Sequence, residues 1–183
     1  LHYQTQKAFA TKNFDTLPGE YWPEATLSTP NKKLQARAVL KPSEKEISPY
    51  PNTEELTRWQ NRITELLSNM DDLTADVFDS ISALWLKQAK YHLDMIMIRA
   101  DDLLQFRGIL PQKGGGGRRG GYSEKKRKQI AEQIEILSRT WIKVLEMEIT
   151  EEVEGKRGLY RRRRKWRGES LAIVVSSKFG EVD

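Results

Sequence analysis

Tyr122 closes a run rich in glycine and arginine, Gly116-Gly117-Arg118-Arg119-Gly120-Gly121-Tyr122-Ser123. A phenol in that setting is a candidate strand-nicking nucleophile, but such chemistry normally draws on a metal cluster. The chain has no cysteine and only His2 and His92, so neither a thiolate site nor a multi-histidine site can be assembled. Tyr122 therefore reads as a packing or phosphate-contact residue. The same run imitates the spacing of a phosphate-binding loop, yet Tyr122 stands where the lysine must be. Glu146, Glu148, Glu151 and Glu152 form a carboxylate group without a histidine beside it. The first two alternate on a strand-like segment, which suits a solvated outer face better than acid–base work. No catalytic set emerges, and the expectation is a chain that is not an enzyme and needs no cofactor.

The cations are more informative. Lys113, Arg118, Arg119, Lys125, Lys126, Arg127 and Lys128 face a single acid, Glu124, within residues 113–128, a net of +6. Lys156, Arg157, Arg161, Arg162, Arg163, Arg164, Lys165 and Arg167 have no acid among them in residues 156–167, a net of +8. These segments hold 15 of the 31 Lys and Arg residues, although the whole chain is only +5. Like charges repel, so clustering of this kind points to a polyanionic partner. Arginine pairs in a planar fork with phosphate or guanine edges, and glycines let backbone amides approach phosphates closely.

These clusters must be positioned by the elements around them. Asn52 or Thr53 caps a helix that carries Leu56, Trp59, Ile63, Leu66, Leu67 and Met70 at spacings of three and four. A second helix starts near Thr74, with Val77, Phe78, Ile81, Leu84 and Trp85 on one side. Trp59 and Trp85 are expected as core anchors, and Met95–Ile98 as a small buried strand. A short helix runs from Ala100 or Asp101 to Gly108, where Pro111 prevents its resumption. Ser123 caps a long helix marked by Ile130, Ile134, Leu137 and Trp141. A strand follows to about Val153, then the basic stretch as a polar loop, then a strand at Leu171–Val175. Six of the seven prolines fall in the first 51 residues, which show no sustained period, so residues 1–52 are expected to be an extended arm. The expected fold is α+β and mostly helical: a winged helix-turn-helix over residues 53–183, with the C-terminal hairpin as its wing. A helical bundle bearing a hairpin is the alternative.

Leu73-Thr74-Ala75-Asp76-Val77 and Ala100-Asp101-Asp102-Leu103-Leu104-Gln105-Phe106-Arg107-Gly108 resemble bacterial plasmid replication initiator proteins. So do Gly117-Arg118-Arg119-Gly120-Gly121-Tyr122 and the long helix ending in Thr140-Trp141-Ile142. The resemblance covers roughly residues 70–180. It implies a winged-helix domain that binds repeated origin sequences, marks or melts the origin and recruits host replication proteins. Some members carry two such domains, one mainly dimerising, so a homodimer is also implied. The glycine loop departs from a compact turn.

Together these readings point to sequence-specific binding of double-stranded DNA at a plasmid origin. The DNA contacts are expected from Arg118, Arg119, Tyr122, Ser123, Lys125, Lys126, Arg127 and Lys128 at the helix start. Arg161, Arg162, Arg163, Arg164, Lys165 and Arg167 are expected to supply those of the wing. A winged-helix transcriptional regulator, an RNA-binding protein and a dimerisation module are the competing readings. With 38% hydrophobic residues, no apolar run long enough to span a membrane and no charged-then-apolar leader, the expected setting is the cytoplasm. A first residue that is Leu rather than Met leads us to expect a piece of a larger protein.

Overall fold

The computed structural model describes residues 1–29, 34–91, 94–114, 120–155 and 158–173, with backbone alone at 149–155, 158–160 and 166. The chain is α+β. In order it runs α1 (His2–Thr11), β1 (Glu24–Ser28), β2 (Leu34–Leu40), α2 (Thr53–Asn69), α3 (Asp72–Gln88), α4 (Ala100–Phe106), α5 (Glu124–Ser138), β3 (Thr140–Gly155) and β4 (Gly158–Leu171). The strands form one antiparallel sheet in the order β1-β2-β3-β4.

Residues 1–52 are not an extended arm. They contribute a helix and two strands, and β2 is an inner strand between β1 and β3. Leu34, Ala36, Ala38 and Leu40 alternate onto the buried face of β2, as Ala25 and Leu27 do on β1. The partner that makes this a strand is remote in sequence: Ala38 lies opposite Ile142 and Leu40 opposite Thr140. Phe9 of α1 is fully buried, edge-on to Phe78 of α3 with ring centroids 5.4 Å apart and parallel to Phe14 at 6.4 Å. Pro23 and Pro42, which look like breakers, are buried at strand ends. The Pro23 carbonyl accepts from the Leu40 amide, and the Arg139 carbonyl accepts from the Lys41 amide.

The middle of the chain follows its local signals. The Asn52 side chain accepts from the Glu55 amide at the start of α2. Asp71 and Thr74 form a reciprocal capping box on α3, so that helix begins two residues before Thr74. Gly108, at φ +72°, ends the α4 turn in a left-handed conformation that a side chain resists. Ser123 caps α5 by accepting from the Lys126 amide.

Other expectations fail for identifiable reasons. Met95–Ile98 is not a strand: among the described residues no ladder partner reaches it, and Met95 and Met97 are exposed while Ile96 and Ile98 pack inward. Trp59 and Trp85 are half-buried ties rather than core anchors. Their indole N–H groups donate to the carbonyls of Glu46 and Asp94. Trp141 belongs to β3, because α5 ends at Ser138. The largest difference is β4. The basic stretch is itself the strand, from Gly158 to Leu171, and Val174 and Val175 of the expected strand lie outside the described residues.

β2 covers β3 only as far as Met147. At Leu145–Glu146 both ladders shift register, a bulge that bends β3 where the sheet ends. From Glu148 to Gly155, among the described residues, β3 pairs with β4 alone, and the hairpin extends for about 25 Å as a two-stranded ribbon.

Candidate nucleic-acid interface

The start of α5 is held from several sides. Its inner face buries Ile130, Ile136 and Leu137. Gln133, also buried, accepts a hydrogen bond from the Thr74 hydroxyl of α3, which fixes the rotation of the helix. Arg127 forms a two-pronged ion pair with Asp101 of α4, both bonds 2.7 Å long. The Arg127 hydrogen bond and charge hold the Asp101 carboxyl below the usual carboxylate range. At its other end α4 is tied to α3 by Arg107, 2.9 Å from Asp76. Near its C-terminus, Glu135 of α5 receives Arg62 of α2 through two bonds of 2.7 and 2.8 Å. Arg139 pairs with Glu46 and Glu135 and lies over the Trp59 ring, 5.3 Å from its centroid.

Against this frame the expected contact residues separate into groups. Lys125 and Lys128 are exposed on the first turns of α5, Lys126 is half-buried, and none of the three makes an ion pair among the described residues. Cations at this end oppose the positive pole of the helix dipole, so their placement works against helix stability. Arg127 is spent on Asp101 and braces α4 against α5. Ser123 is the helix cap. Tyr122 is half-buried, and its hydroxyl donates to the Ile109 carbonyl at 2.9 Å, a packing role. Arg118 and Arg119 lie outside the described residues.

The glycine loop has a pinned neck. Gln112 and Gly121 exchange backbone hydrogen bonds of 2.9 and 3.1 Å. A Cβ on Gly120 would stand 2.4 Å from the Gln112 carbonyl oxygen, so the crossing requires glycine there.

On β4, Arg161 to Arg164, Lys165 and Arg167 are exposed, on a strand rather than at a loop tip. Acids of β3 face them. Lys165 Nζ lies 2.7 Å from Glu146 and Arg163 Nε lies 3.4 Å from Glu148. The register sets Glu151 opposite Arg162 and Glu152 opposite Arg161. Among the described side chains, Glu146 and Glu148 thus each meet a cation of the second basic cluster. The two clusters also occupy different packing neighbourhoods: α5 packs on α3 and α4, whereas β4 packs on β3.

Gln129 is a further polar residue at this end of α5. It is exposed one turn beyond Lys125 and next to Lys128, on the outward face of α5. A glutamine amide can bond an adenine edge through two hydrogen bonds. The signal was available as the four-residue step from Lys125, but it carries no charge to draw notice.

Among the described residues, no helix is long and apolar enough to cross a membrane. Comparison of the chain with protein-family models, with curated proteins and with solved structures finds no match in any of the three.

Proposed function

We propose that this chain is a non-catalytic, double-stranded-DNA-binding domain of a plasmid replication initiator. In this reading α3, α4 and α5 form the three-helix unit of a winged helix-turn-helix, α5 is the recognition helix and β3–β4 is the wing. The observation that carries it is the exposed row Lys125, Lys128 and Gln129 on a helix that Gln133, Arg127 and Glu135 tie to α3, α4 and α2. Rigid presentation of cations and an amide at a helix start suits phosphate contact and base reading in the major groove. The order of three helices followed by a hairpin supports the same reading. The initiation role rests on the resemblance of Leu73–Val77, Ala100–Gly108 and Gly117–Tyr122 to plasmid initiators. Origin repeats, host replication proteins and a second copy of the chain are the partners that role entails, in the cytoplasm.

Selection of bound sites from a pool of random duplexes tests the proposal. Enrichment of a directly repeated site supports initiation, whereas an inverted pair identifies a transcriptional regulator. Failure to enrich any duplex, with preference for unpaired RNA in a parallel pool, overturns the DNA reading in favour of RNA binding.

A further inference from the structure

The ion pairs of the hairpin have an unusual balance. Arg163 and Lys165 keep 79% and 69% of their side-chain surface exposed while pairing with Glu148 and Glu146. Exposed pairs of this kind add little to stability. The inner pair is nevertheless well formed: the Lys165 hydrogen bond, reinforced by the charges of Lys165 and Arg167, holds Glu146 below the usual carboxylate range. A glutamate oxygen and a phosphate oxygen make the same charge-assisted bond to an ammonium or guanidinium group. The bulge at Leu145–Glu146 places the inner pair where β3 leaves the four-stranded sheet, and farther out the backbone register sets Glu151 opposite Arg162 and Glu152 opposite Arg161.

From this arrangement we infer that the β3 carboxylates, Glu146 and Glu148 foremost, are an internal mimic of the phosphate backbone that competes with nucleic acid for the β4 cations. The inference rests on the duplex-binding reading and adds a regulation to it. Engaging β4 requires phosphate to displace glutamate, so the hairpin adds little affinity for polyanions met on charge alone. Its cations are held in reserve until α5 has docked and the local phosphate concentration is high. Glu146 and Glu148 also lessen the self-repulsion among the five consecutive cations Arg161 to Lys165.

The test uses the full chain, a random-sequence duplex at several salt concentrations, and heparin affinity elution. Glu146→Gln with Glu148→Gln should raise duplex affinity about 1.5- to 5-fold per carboxylate. It should also steepen the slope of log K against log salt by up to about one per released cation, and move heparin elution to higher salt. Glu44→Gln, the same charge change on an exposed glutamate outside the hairpin, should do much less. In a Lys165→Gln background the gain from Glu146→Gln should vanish. Equal gains from Glu44→Gln, or a gain that survives Lys165→Gln, would overturn the inference. If the wild-type chain fails to bind duplex while heparin elution still shifts in the hairpin variants alone, the DNA reading fails and the carboxylate mimic stands for another polyanion. Thermal melts accompany each variant, and Glu148→Gln alone, which loses the longer bond, carries the test should the double variant not fold.

Discussion

Arg139 joins the elements that set the direction of α5 relative to the hairpin, and replacing it with methionine should show how much that junction is worth. Its side chain is only 16% exposed; it pairs with Glu46 before α2 and with Glu135 on α5, and stacks on Trp59. The stack contributes about 0.5–1 kcal/mol. The two charge-assisted bonds, discounted for partial exposure, contribute about 1 kcal/mol each. Methionine recovers some of the packing, so the net loss should be about 2 kcal/mol, or about 4–8 °C in a chain of this size. The loss should depend on pH. Partial burial alone would raise the Glu46 pKa, but the bonds from Arg139 and from the Ser43 amide and hydroxyl outweigh it and leave Glu46 below its ordinary value. A lowered folded pKa gives stability that is present above the unfolded pKa and disappears as pH falls through the folded one. Urea melts of wild type and Arg139→Met at neutral pH and at successively more acid pH read both effects. A difference under about 0.5 kcal/mol at neutral pH, or one that grows on acidification, would refute the reasoning.

Phe9→Ala should cost about 3–5 kcal/mol, read by chemical denaturation, because the N-terminal helix is part of the core; a neutral result would restore the view of a dispensable arm. Gly120→Ala should open the Gln112–Gly121 bridge, seen as faster hydrogen exchange at those two amides, with little change in the melting of α5. Lys125→Ala and Lys128→Ala should weaken binding to all duplexes alike and flatten the salt slope by about one each. Gln129→Ala should instead relax selectivity at one base position, at about 1–3 kcal/mol of discrimination in a site-variant panel.

The parts of this molecule that could be read from the sequence are those whose information is local. Asn52, Ser123 and Gly108 each determine a helix end through their own side chain or backbone, and α2, α4 and α5 lie close to where those residues imply. The N-terminal strands could not be read that way. Ala36 and Ala38 are weak apolar signals, prolines flank them, and their pairing with Val144 and Ile142 spans about a hundred residues. β4 was hidden for the opposite reason. An unbroken arginine run has no period, and it is the backbone ladder to β3, formed across the hairpin, that makes it a strand. At the candidate site the charge clusters were visible but their uses were not. Which cation faces solvent, which braces a neighbouring helix and which is matched by a carboxylate are outcomes of tertiary contact: Arg127 and Lys128 are adjacent in sequence and have different roles.

Equilibrium titration of the wild-type chain with duplex DNA, from about 50 to about 200 mM salt, addresses the central claim most directly. Lys125, Lys126 and Lys128 alone predict a slope of log K against log salt of about −3, steeper where the β4 cations engage. Binding that is absent, or indifferent to salt, would contradict the account.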